Sequence, residues 1–274
     1  MNKLLKVDLK RICKDKLLLV VSIIGLGFGI LMPIIFKLLF TGLGVEDIMD
    51  IGMDAKFFLF NSFSPSNNFG IILPVFLCII VCKDFSHGTI RNKIICGHKR
   101  SHIFLSMFIS VSTYLTAIIM LYGLLNFAMS FAVGFKYSAQ IPFAKDLGYL
   151  LLSLLFVVMA YVFLSAVISF LVVFTKNVGA AIVLNFALTL CMTMIISVLE
   201  VVVLFGTMSD GNETLLRIVD YALKVNPFYM LTMVIGKGVE YSTKEVLCFV
   251  FSTILYVTGL VLWGSKILTK KELK

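Results

Sequence analysis

The sequence predicts an all-α integral membrane protein with six transmembrane helices and a short amphipathic helix ahead of the first. Three observations predict it. The chain is 60% hydrophobic and only 14% charged, with a mean hydropathy of +1.04, where soluble domains carry about 25% charged residues. Apolar runs recur at the length of roughly 18 residues or more that carries a helix across about 30 Å of hydrocarbon. The Lys and Arg residues crowd into alternate connecting segments, the asymmetry that orients a membrane protein.

In chain order, MNKLLKVDLKRICKDK places Leu5, Leu9, Ile12 and Cys13 at helical spacing, with Lys6, Lys10 and Lys14 on another face. This pattern predicts an interfacial helix within residues 1–16. The first span runs from Leu17 to Phe40. It is longer than the roughly 7–15 apolar residues of a secretory leader and lacks a small-x-small cleavage site, so it reads as an uncleaved span. The second runs from about Phe63 to Cys82, with Pro74 inside and the polar SPSNN at its outer end. That end is expected to be irregular, which a membrane tolerates where protein or water satisfies the freed backbone. The remaining spans are Ile103 to Val133, Leu147 to Thr175, Val178 to Phe205 and Val246 to Trp263, all within one transmembrane domain over 1–274.

Under this assignment 16 of the 24 Lys and Arg fall on one side, together with both termini. Eleven of the 15 acids fall on the other side or in an outer half-span. Both termini are therefore expected in the cytoplasm, and the net charge of +9 reads as a topology signal, with no nucleic-acid partner implied. Two outer segments carry short elements. Gly42 to Asn61 is acidic (Glu46, Asp47, Asp50, Asp54) and ends in FFLF, while 207–244 holds an amphipathic stretch (Leu215, Leu216, Val219, Leu223) and the apolar patch Pro227 to Ile235. Interfacial or re-entrant helices are expected there.

The segment Lys83 to His102, KDFSHGTIRNKIICGHKRSH, is a basic island between two spans, with five Lys/Arg, all three histidines and one acid, Asp84. Charges of this density cannot lie in hydrocarbon, where each costs about 2.5–3.5 kcal/mol. A short helix around Thr89 to Cys96, ended by Gly97 as its cap, would offer Ile90, Ile94 and Ile95 for burial, with Arg91 and Lys93 at the rim. The spacing of His87, His98 and His102 does not form a zinc-ligand pattern, and the island equally suits anionic lipid headgroups. The six cysteines imply neither a disulfide framework nor a metal site.

The chain has no HExxH, GxSxG or GxxxxGK[ST] motif, so no catalysis and no bound cofactor are expected of it. Polar residues within the spans are few. Asn185, Thr189, Thr193 and Glu200 in the fifth span are candidate cavity-lining residues, with interhelical hydrogen bonding, or wetting of Glu200 at the interface, as the competing readings.

The order CKDFSHGTIRNKIICGHKRSHIFLS, an apolar span ending in an acid and Phe, then a Gly-Thr-Ile-Arg core, a Gly and an Arg before the next span, resembles the first cytoplasmic loop of ABC-2 type transporter permeases. The likeness is to the short six-span permeases of Gram-positive bacteria and extends over the whole chain. Asp84 stands where that family more often has Glu, and Gly97-His98-Lys99-Arg100 replaces a Pro-containing turn. The resemblance implies a type V exporter-like fold in a bacterial plasma membrane. It implies that 83–102 is a coupling loop docking on a separate ATP-binding subunit, through Asp84, Phe85, Gly88, Thr89, Ile90, Arg91, Lys93, Ile94, Gly97 and Arg100. Two such subunits would supply ATP and Mg, a second permease chain would complete the transporter, and membrane lipids would surround it. The substrate expected is an amphipathic peptide, antibiotic or lipid-like molecule. The alternatives are a stand-alone secondary transporter or channel, or a non-transporting membrane sensor or assembly subunit.

Overall fold

The computed structural model describes residues 2–42, 54–64, 68–137, 143–208, 213–229 and 242–270. Among them all regular structure is helical, in the order α1 (Asn2–Lys14), α2 (Lys16–Gly42), α3 (Ala55–Ser62), α4 (Asn68–Ser86), α5 (Thr89–Ile95), α6 (Arg100–Val133), α7 (Phe143–Thr175), α8 (Val178–Met208), α9 (Glu213–Val225) and α10 (Thr243–Lys270). Six of these, α2, α4, α6, α7, α8 and α10, are long and apolar enough to cross a bilayer. The chain is a multi-pass membrane protein, with spans close to the runs read from the sequence.

Helix α6 is the hub of the bundle, touching α1, α2, α3, α7 and α10, while α8 packs on α4, α7 and α9. Spans α4, α6 and α7 are the most enclosed; α2, α8 and α10 leave broad apolar surfaces outward, as spans bordering lipid do. Without a hydrophobic drive between helices in lipid, close approach through small residues does much of the packing. Here aromatic rings lie over glycines: Phe63 on Gly123, Phe69 on Gly25, Tyr122 on Gly29 and Phe104 on Gly264.

The irregular outer end expected of the second span takes the form of a separate helix. Asp54 caps α3 by accepting the Phe57 N–H at 2.9 Å, and α3 ends with Phe63 as its C-cap, just before Ser64 and Pro65. A residue preceding proline is steered away from helical backbone. Helix α3 is largely enclosed against α6, with Phe58 packed on Phe36 and Phe135. The Tyr161 hydroxyl of α7 donates to the buried Phe63 carbonyl at 3.1 Å, satisfying a backbone group freed by the break. Tyr161→Phe is expected to lower stability by about 1–3 kcal/mol, read as a lower melting temperature in detergent; an unchanged melt would mean water serves that carbonyl.

At the same end of the bundle, α9 buries Leu223 and half-buries Leu216 and Val219, while Leu215 is exposed. Asn226 donates to the Met192 carbonyl of α8 at 3.2 Å, and Phe228 meets Phe163 edge-on. Lys224 joins Asp220 at 2.5 Å and Glu245 of α10 at 3.3 Å. Burial pushes the Lys224 ammonium down, but the two carboxylates outweigh it and hold it above its ordinary value. Glu46, Asp47, Asp50 and the part of the apolar patch from 230 to 235 lie outside the described residues.

Candidate functional site

The basic island folds as a short helix bracketed by two left-handed glycines. Gly88 (φ +68°) turns the chain after α4 and precedes Thr89, the first residue of α5. Gly97 (φ +84°) follows the C-cap Cys96, its N–H bonded to the Ile94 carbonyl at 2.9 Å, with the His98 N–H reaching the Lys93 carbonyl at 3.2 Å. This is the capping role the sequence assigned to Gly97, and it needs a residue without a Cβ.

Two ion pairs fix this loop to the N-terminal helix. The Asp8 carboxylate of α1 is 2% exposed; it accepts from Lys93 Nζ at 2.6 Å and from Ser106 Oγ of α6 at 2.7 Å. One turn further along α1, the Arg11 guanidinium pairs with Asp84, itself buried near the end of α4. A buried charge is tolerable only when paired and hydrogen-bonded, and Asp8 has both a counter-charge and a hydroxyl donor. Burial draws the Lys93 ammonium below its ordinary value, Asp8 opposes that shift and Arg11 adds to it. Arg11 is also lowered by burial, against the pull of Asp8 and Asp15, and its buried Nε–H has no hydrogen-bond acceptor among the described residues.

The residues assigned to the coupling loop therefore divide. Asp84 and Lys93 are committed to α1, and Ile90 is buried in the core. Phe85 and Ile94 are partly buried against the same core. Arg100 Nη1 donates to the Thr269 carbonyl at 3.0 Å, in the last turn of α10, where a cation complements the helix terminus. The outward face is left to Arg91, Asn92, Ile95 and Cys96, with Ile95 76% exposed. Lys93, placed at the rim by the sequence, is turned inward because Asp8 supplies a buried counter-charge 85 residues away. Ile95 projects from the loop, where only a contact outside this chain could bury it.

The sequence reading missed Asp8. The apolar row taken as Leu5, Leu9, Ile12 and Cys13 is rotated in the structure, so that Leu4, Asp8 and Ile12 are buried and Cys13 is exposed. A signal was present: Asp8 is the lone acid of the first 14 residues and Asp84 the lone acid of the island.

In α8, Asn185 and Thr189 are buried beside Gly70 and Pro74 of α4, where they line a narrow cleft that includes neither Thr193 nor Glu200. The Thr189 and Thr193 hydroxyls donate to carbonyls of their own helix, Asn185 O at 2.9 Å and Thr189 O at 3.1 Å. Asn185 Oδ1 is buried without a donor among the described residues. Glu200 lies on the exposed face of α8. These four residues thus do not converge on one chamber within a single chain. Among the described residues no group of three or more His, Cys, Asp or Glu is placed to hold a metal ion. No protein-family model matches the sequence, and no curated protein matches it.

Proposed function

We propose that the chain is the membrane-spanning permease subunit of an ATP-binding-cassette exporter of the ABC-2 type, with α5 as the contact for a separate ATP-binding subunit. The observation that carries this reading is the exposed face of α5, Arg91, Asn92, Ile95 and Cys96, on a helix whose opposite side is held to α1 by an ion pair. An exposed isoleucine beside an arginine suits a protein contact, arginine being among the residues that dominate binding at such interfaces. Because α5 is fastened to α1, α4 and α6, a force applied to that face would pass into the spans as displacement of a unit. The likeness of the GTIR loop to that family supports the same assignment, with both termini in the cytoplasm, ATP hydrolysis confined to the partner chain and two permease chains per transporter. The substrate class that suits it is an amphipathic peptide, antibiotic or lipid-like molecule.

The test is co-purification and ATPase coupling with a co-expressed ATP-binding subunit. Arg91→Glu is expected to weaken partner binding by more than tenfold, as losing a hot-spot arginine does, with normal membrane insertion. Thr89→Pro is expected to abolish substrate-stimulated ATPase activity. Normal coupling in both variants, or full transport by the chain alone, would overturn the assignment.

A further inference from the structure

A groove of about 720 Å³ opens beside the Arg11–Asp84 pair, between α1, the start of α2 and the end of α4. Its walls are Val7, Lys10, Arg11 and Lys14 from α1, Lys16 and Leu17 from α2 with Asp15 ahead of them, and Lys83 from α4. It is an open surface recess, not an enclosed pocket.

The charge in this groove is only partly compensated: Lys10, Arg11, Lys14, Lys16 and Lys83 line it against one acid, Asp15. The ammonium groups of Lys10, Lys14, Lys16 and Lys83 have no ion pair or hydrogen bond among the described residues. The single acid of the wall, Asp15, is turned to the start of α2, where Oδ1 accepts the Leu17 and Leu18 N–H groups at 3.0 and 3.3 Å. Asp84 is taken by Arg11. Below Lys16, the same face of α2 continues through Val20, Ile23 and Ile24, all exposed and apolar. The groove therefore sits at the mouth of a span, cationic where the water begins and apolar below. This is the polarity of a phospholipid read from headgroup to acyl chain.

We propose that the groove is a headgroup site for an anionic phospholipid, with the phosphate among Lys10, Lys14, Lys16 and Lys83 and an acyl chain along Val20, Ile23 and Ile24. Basic recesses between spans at a membrane surface recognise such lipids by this charge pattern. Occupancy would brace the joint between α1 and α4. The inference does not depend on an ATP-binding partner.

The test uses the purified full chain in detergent, titrated with dioleoylphosphatidylglycerol, dioleoylphosphatidylcholine or glycerol 3-phosphate, with retained adducts counted by native mass spectrometry and melting temperature followed in parallel. The expected result is selective retention of phosphatidylglycerol with a raised melting temperature. Lys10→Gln with Lys14→Gln and Lys83→Gln should weaken it by roughly a hundredfold, at about fivefold per lysine. Lys3→Gln with Lys6→Gln, exposed on α1 but outside the groove, should leave it within about twofold of the unaltered chain, short of the loss of even one groove lysine. Equal retention of the two lipids would overturn the proposal in favour of lipid association without headgroup recognition, and equal losses in the two variants would overturn it in favour of diffuse attraction to the basic surface. Glycerol 3-phosphate binding as tightly as the lipid would overturn it in favour of a free-phosphate site. Unchanged lipid retention in the triple variant with loss of a protein partner would overturn it in favour of a protein surface.

Discussion

Asp8→Ala is expected to destabilise the protein by about 3–5 kcal/mol, the cost of leaving a buried charge without its partner. The carboxylate it removes is met by Lys93 at 2.6 Å and Ser106 at 2.7 Å. Without it the Lys93 ammonium stays in a desolvated place with nothing to balance it, or swings out and takes α5 with it. The measurement is a thermal melt in detergent, together with the rate of maleimide labelling at Cys96, which should change as the loop loosens. A double change, Asp8→Leu with Lys93→Met, replaces the pair by apolar groups and is expected to recover most of the loss, because buried ion pairs often exchange for hydrophobic pairs at little cost. A melt unchanged by Asp8→Ala would show that α1 is not held by this pair. The Arg11–Asp84 pair, more open on its arginine side, should give a smaller effect when broken.

Gly123→Val is the second large effect expected, a loss of about 3 kcal/mol from overpacking. A Cβ at position 123 would clash with the edge of the Phe63 ring, against Cε1 and Cζ. That ring cannot easily retreat, since Phe63 is fully buried and its carbonyl is held by Tyr161. Reducing the ring with Phe63→Leu should make room, so the double variant is expected to be more stable than the sum of the two losses predicts. Strict additivity would place the two residues out of contact.

How far the sequence could be read depended on the range of the interaction. Apolar runs and flanking charges are local, and the ends expected for the spans fall close to those of α2, α6, α7 and α8, while α10 runs on past Trp263 to Lys270. The cap at Gly97 was legible for the same reason, since a glycine after a short run of isoleucines is a local stop. At the second span the polar SPSNN was legible as an irregular outer end. The sequence could not tell that the piece before it would be walled in by α6, because Phe58 finds Phe36 and Phe135 from distant parts of the chain. The ion pairs were hidden in the same way. Lys93 on its own reads as a solvated cation, and only the fold brings Asp8 beneath it.

Arg100 makes a bond whose practical value lies in what it lets an observer see. Through its contact with Thr269, the loop that opens the third span is stitched to the end of the last one, 169 positions away in sequence. A spectroscopic label attached near the carboxyl end of α10 therefore becomes a remote gauge of the loop, able to register its excursions while the exposed face of α5 stays unmodified and free to meet whatever it binds.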